Sequence, residues 1–137
     1  RRLYGAESVV FGLFEDTVPC LDALRARGVR LAVISNWDIS LYRTLEAFGL
    51  SAYFEVVTAS MVVGAEKPDP RIYRQTWEAL GCGAECTWHV GDDPVADSQG
   101  ARELGARGIL IDRAAADDGP HRLRDLRTLV KWYDACD

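Results

Sequence analysis

The segment WHVGDDPVADSQGAR, residues 88–102, sets Asp92, Asp93 and Asp97 within six positions of one another. Carboxylates this close repel unless a cation, a lysine or a helix end compensates them. Gly91 allows the backbone to approach closely where an apolar run ends, and Asp93 followed by Pro94 has the composition of a helix N-terminus. Asp97 then lies one turn into that helix and leans back toward its start, so Asp92 and Asp97 can meet above the strand end. A few carboxylates completed by waters and substrate oxygens is the environment that Mg²⁺ takes. The plainer alternative is a capping Asp93 with two solvated neighbours.

Two other places carry groups suited to anions. Ser35 and Asn36 close the apolar run RLAVIS and precede a helix, and a hydroxyl beside backbone N–H groups at a helix start makes an anion cradle. Alone, Ser35 reads as a turn cap. Lys67 lies in GAEKPDPRIY, where Pro68 restrains it and Asp69-Pro70 opens a helix, which holds the lysine at a fixed loop position. Alone, Lys-Pro reads as a turn. His89, on an apolar strand, reads as a packed core histidine and not as a ligand. Trp37, between Asn36 and Asp38, fits a pocket mouth or an exposed or cap-facing position equally well.

These residues must be positioned by alternating elements. Strands are expected at 30–35, 54–60, 86–90 and 108–112. Helices are expected at 39–49 (Leu41, Leu45 and Phe48 inward, Asp38 capping, Gly49 at the stop) and at 70–81 (Pro70 first, Asp69 capping). Two more are expected at 94–105 and 121–134, the last with Leu123, Leu126, Val130 and Tyr133 inward. Residues 18–27 read as a further helix. The alternation predicts an α/β fold, a Rossmann-like, doubly wound parallel sheet covered on both faces. In such sheets the site lies at the carboxyl ends of the strands, where Ser35, Asn36, Asp92 and Asp93 fall.

The bulk composition narrows the classes. The 137 residues suffice for one domain with a real core, and 48% apolar and 27% charged residues are ordinary for a globular chain. A net charge of −5 argues against nucleic-acid and anionic-membrane partners. No apolar run reaches the length of a membrane span, and no signal peptide is visible. The four cysteines (Cys20, Cys82, Cys86 and Cys136) include one C-x3-C pair, which misses the usual zinc spacing. They read as free thiols of a reducing cytosol, so a cytoplasmic location is expected. The chain starts RRLYGAES and its single methionine is Met61, so a fragment or processed product is expected. The expected organisation is a leading segment at 1–17, an α/β core at 18–115 and a carboxyl-terminal loop and helix at 116–137.

Ser, then Lys, then Gly-Asp-Asp-x-x-x-Asp, each behind a successive strand, is far rarer than its parts. In that order LAVISNWD, EKPDPRIY and HVGDDPVAD resemble the second, third and fourth motifs of the haloacid dehalogenase (HAD) superfamily of hydrolases. The likeness runs from about Val18 to Arg113, and FEDTVPCLDALRARG resembles the helix that follows the cap in capped members. The resemblance implies phosphoryl transfer to an aspartate, with an aspartyl-phosphate released by water. On that basis Ser35 and the Asn36 amide hold phosphoryl oxygens, and Lys67 offsets charge on the nucleophile and the transferring group. Asp92 binds Mg²⁺, and Asp97 either joins it or orients waters and Lys67. The partner expected is a small phosphorylated metabolite; the ester and the oligomeric state are not legible. Members that cleave carbon–halogen bonds lack the Gly-Asp-Asp arrangement, so a phosphatase is favoured over a haloacid dehalogenase.

The superfamily's first motif, D-x-D-x-T/V, which carries the nucleophile, is absent: no two aspartates in the chain stand at i and i+2. Residues 9–18, VVFGLFEDTV, imitate it without the pair, and the resemblance implies that 1–17 is a cap remnant and linker. The first strand of this fold lies between the strands at 30–35 and 86–90, so a central gap of ~9–10 Å is expected there. Either a makeshift strand at 9–14 fills it or the chain is poorly stable alone. The chain itself is expected to be inactive. A non-catalytic HAD-derived domain that binds a phosphorylated ligand or a protein is the alternative. A phosphoacceptor receiver domain is disfavoured, because it needs its acidic pair on the first strand and its lysine last.

Overall fold

β1, Ala32–Ser35, is apolar on both faces because both are covered. Val33 points to Leu21, Leu41, Leu45 and Leu50, whereas Ile34 points to Ile72, Tyr73 and Trp77. That continuous apolar run is the signature of a parallel strand sandwiched between helices. The computed structural model describes residues 15–136. The makeshift strand expected at 9–14 lies outside those residues.

The elements follow the expected alternation. α1 (Thr17–Ala26) leads to β1, and α2 (Ser40–Ala47) to β2 (Val56–Ala59). After the short α3 (Ser60–Val63) and α4 (Pro70–Leu80) comes β3 (Trp88–Gly91). β4 (Arg107–Ile111), β5 (Arg122–Leu123) and α6 (Leu126–Ala135) finish the chain. β1 and β2 pair in parallel from Ala32↔Val56 to Ser35↔Ala59. β3 and β4 pair in parallel from Trp88↔Arg107 to Gly91↔Leu110, and β5 adds in parallel beside Leu110 and Ile111. This is the α/β, parallel-stranded architecture that the alternation predicts.

Among the described residues the strands form two sheets, β1-β2 and β3-β4-β5, with no pairing between β1 and β3. Helices on both faces join the halves. On one face, α1 puts Leu21 against Val33 and puts Cys20 and Leu24 against Ile109, Ile111 and Leu123. On the other, Ile72, Tyr73 and Trp77 of α4 pack against Ile34 from one half and Ala101 and Ala106 from the other. Burial of these side chains contributes on the order of 1.5–3 kcal/mol each, so among the described residues the helices join the halves.

The Asp69 side chain accepts from Arg71 N–H with Pro70 in the first helical turn, as the sequence predicts. At α2 the N-cap position falls to Ile39 and not to the expected Asp38, whose Oδ1 still accepts from Ser40 N–H at 2.8 Å. Gly49 adopts φ +70° past the end of α2, a conformation that favours glycine.

Two expectations need correction. The helix expected at 121–134 begins only at Leu126, capped by Asp125, because Arg122–Leu123 adds a strand to the sheet edge first. Leu126 and Leu129 are its buried residues, with Val130 and Tyr133 partly covered. The helix expected at 94–105 is a π-helical segment, Pro94–Gln99, running into a short α-helix α5, Gly100–Glu103. No helix of the described residues is long and apolar enough to cross a membrane.

Candidate active site

Lys67 and Asp97 meet in the interior at the carboxyl ends of β1 and β3. The lysine Nζ lies 2.5 Å from Asp97 Oδ1, and neither side chain retains any exposure. Three local features produce this pair.

The first is the loop after β1. The Asn36 side chain brackets the Lys67 residue: its Oδ1 accepts from Lys67 N–H at 2.8 Å and its Nδ2 donates to the Lys67 carbonyl at 3.1 Å. The lysine backbone is therefore held like a strand partner, and the ammonium enters the interior from a fixed point. Ser60 Oγ and the Met61 N–H both donate to the Trp37 carbonyl, which sews the loops after β1 and β2 together.

The second is the turn after β3. Asp93 Oδ1 accepts from the N–H groups of Val95 and Ala96, so the helix opens on a capping aspartate with Pro94 next to it. The Asp93 N–H donates to Asp97 Oδ2 at 3.1 Å. The chain from Gly91 to Asp93 thus wraps the Asp97 carboxylate. A Cβ on Gly91 would stand 2.2 Å from Asp97 Cγ, so only glycine lets the strand end come this close.

The third is the π-helical segment. Asp97 and Ser98 both donate their N–H groups to the Asp93 carbonyl, and the Tyr73 hydroxyl donates to the Ala96 carbonyl. α4 thereby ties down the turn that carries Asp97. Gly108 of β4 lets the turn lie on the sheet, since a Cβ there would stand 2.0 Å from the Ser98 carbonyl oxygen.

Asp97 Oδ1 has a second partner, His89 Nε2, at 2.9 Å. The sequence reading of His89 as a packed core histidine is half right. Its ring is nearly buried and meets Tyr73 edge-on at 5.3 Å, but its nitrogen belongs to the site. Burial by itself would raise the Asp97 pKa; the His89 hydrogen bond and the Lys67 charge outweigh it and hold the carboxyl well below the usual carboxylate range.

Ser35 closes β1 beside Asn36. It is 1% exposed, and its Oγ has no hydrogen-bond partner among the described residues. A buried hydroxyl without an acceptor costs about 1–3 kcal/mol. Asp92, by contrast, is exposed on the turn outside Gly91. The structure thus brings together Ser35, Asn36, Lys67, Asp97 and the Gly91–Asp93 turn. The two carboxylates expected to meet above the strand end are in different surroundings, with Asp97 buried among nitrogen donors and Asp92 exposed.

As a metal site the set is partial. Among the described residues no group of three or more His, Cys, Asp or Glu side chains is arranged to hold an ion. Asp97 accepts from Lys67 Nζ, His89 Nε2 and the Asp93 N–H, whereas Asp92 is exposed on the turn.

A family model for haloacid dehalogenase-like hydrolases matches residues 3–105. The chain belongs to this family. It is 36% identical to mouse haloacid dehalogenase-like hydrolase domain-containing protein 3 over 122 residues, covering 83% of this chain and 49% of that protein. It is also 36% identical to a phosphoserine phosphatase from Thermus thermophilus, over 85% of this chain and 47% of that enzyme. The crystal structure of a HAD phosphatase from Thermococcus onnurineus superposes with a TM-score of 0.84 at 30% identity, covering 90% of this chain and 59% of that one. The HAD-family chain thus spans about half the length of the curated relatives it matches.

Proposed function

We propose that this chain is the carboxyl-terminal core portion of a Mg²⁺-dependent HAD phosphatase that cleaves a small phosphate ester through an aspartyl-phosphate. The observation that carries the reading is the buried Lys67–Asp97 pair, tied by Asn36 to the strand end where the Ser35 hydroxyl has no partner among the described residues. A fixed ammonium and a buried hydroxyl donor at the same rim suit a transferring phosphoryl group, whose charge spreads over its oxygens. The phosphatase relative, a phosphoserine phosphatase, supports the phosphate ester as the substrate class.

In this reading Ser35 Oγ and the Asn36 N–H hold phosphoryl oxygens. Lys67 neutralises charge developing between nucleophile and phosphoryl group, and Asn36 and Asp97 keep it in place. Asp92 is the residue of this chain that would hold Mg²⁺, which when bound supplies charge neutralisation at the phosphoryl oxygens. Asp97, enclosed by its three nitrogen donors, acts through Lys67 and not as a direct ligand. The nucleophile must come from an aspartate outside this sequence, which has no i, i+2 aspartate pair. The same absence favours a second reading, a non-catalytic HAD-derived domain that binds a phosphorylated ligand.

The two separate on one experiment. The longest open reading frame containing this chain is expressed and assayed against a panel of small phosphate esters, with Mg²⁺ and with EDTA, beside the 137-residue chain. Mg²⁺-dependent hydrolysis by the longer polypeptide alone supports the phosphatase. An open reading frame without D-x-D-x-T/V, and without hydrolysis, leaves the binding domain.

A further inference from the structure

His89 sits on β3 between Trp88 and Val90, both of which pack into the cluster under α1 and α6. Strand alternation sends its ring to the opposite face, against Tyr73 of α4 and the Asp97 carboxylate. An ionised carboxylate only accepts hydrogen bonds, so the Nε2 that meets Asp97 Oδ1 must carry the hydrogen. Oδ1 therefore receives Lys67 Nζ from the loop before α4 and His89 Nε2 from β3, while Oδ2 receives the Asp93 N–H from the turn. Three donors from three directions leave the carboxylate one orientation. His89 supplies the donor that comes from the sheet itself.

We infer that His89 is a positioning residue of this site: its Nε2–H fixes the Asp97 carboxylate, and through it the Lys67 ammonium, at the carboxyl rim of the sheet. It acts through Asp97. The catalytic consequence rests on the phosphatase reading above, whereas the positioning does not.

Two substitutions separate the donor from the packing. His89→Phe keeps an aromatic ring beside Tyr73 and removes the N–H; His89→Gln restores an N–H at a similar reach. In the uniformly ¹⁵N-labelled chain, the Lys67 ammonium is read by its ¹H–¹⁵N signal and the rate at which its protons exchange with water. The His89→Phe variant is expected to exchange about tenfold faster, the equivalent of one lost hydrogen bond to a charged acceptor. The Gln variant is expected to return close to the unsubstituted rate. An unchanged Lys67 signal in the Phe variant overturns the inference, as does a Gln variant no better than Phe.

If Phe prevents folding, the ¹⁵N shifts of His89 in the unsubstituted chain decide: a protonated Nε2 supports the inference and a bare Nε2 overturns it. In the longer polypeptide, kcat is expected to fall about tenfold in His89→Phe with KM unchanged, and to recover in His89→Gln. Absence of any phosphatase activity in the unsubstituted polypeptide would sink the phosphatase reading and leave the Lys67 measurement to decide His89 independently.

Discussion

Lys67 Nζ and Asp97 Oδ1, thirty residues apart in sequence, form an ion pair of 2.5 Å from which water is excluded on both sides. A pair this deep gains little net stability from its formation, because both charges have lost their hydration, but breaking it leaves one charge stranded. Replacing Asp97 with Asn should therefore cost about 3–5 kcal/mol of unfolding free energy in urea titration. The double replacement Lys67→Met, Asp97→Leu should recover only part of that loss, since His89 Nε2 and the Asp93 N–H would still lack their acceptor. A double variant as stable as the unsubstituted chain would mean that those two bonds contribute nothing.

Acid should weaken the fold through carboxylates whose ionised forms the folded chain favours. Asp125, which caps α6, is held at about 2, chiefly by the side-chain hydrogen bond from Arg127 and despite partial burial. Asp97 is held below the usual range as well. A folded-state pKa below the unfolded value of about 3.9 means that the stabilisation is complete above that pH and is lost as pH falls toward the folded value. The Tm of the chain should accordingly drop between about pH 4 and about pH 2, and Asp125→Asn should flatten part of that slope. A variant with an undiminished slope would remove Asp125 from the acid response.

Asp16 ties three elements together at the sheet's carboxyl end. Its buried carboxylate takes two N–H groups of Arg113, at 2.8 and 3.0 Å, and the Leu126 N–H at the start of α6, at 2.8 Å. Asp16→Ala should cost about 3 kcal/mol, because it removes two hydrogen bonds from the Arg113 guanidinium and the acceptor of the buried Leu126 N–H. It should also free the last helix, so amide exchange in α6 should quicken more than in α2. Equal exchange in the two helices would contradict the clamp.

How far the sequence discloses this site depends on the residue. Asp69-Pro70 and Asp93-Pro94 each declare a helix start, and both caps form as read. The spacing of Asp97 from Gly91 also carries through, since its carboxylate does reach back over the strand end. Its partners were less legible. Alternation sets His89 opposite Trp88 and Val90, but which polar neighbour that face holds is decided only when Tyr73 and Asp97 are in place. Asn36 offers two anion-binding groups in sequence, its amide and its side chain, and only the tertiary fold reveals that the side chain holds Lys67. The wider π-helical turn after Pro94 and the two-residue β5 rest on contacts with Tyr73 and Leu110 rather than on any local periodicity. Both are settled by packing at long range.

The most direct test of the account is the kinetics of Lys67→Ala and Asp92→Asn in the longest polypeptide that contains this chain, assayed with Mg²⁺ on its best phosphate ester. The account predicts a fall in kcat of at least about a hundredfold for Lys67→Ala, the scale of one lost charge-stabilising donor. For Asp92→Asn it predicts a marked rise in the Mg²⁺ concentration needed for half-maximal rate, in a chain that unfolds at nearly the same temperature, because Asp92 is exposed. Rates and Mg²⁺ requirement unchanged in both variants would contradict it.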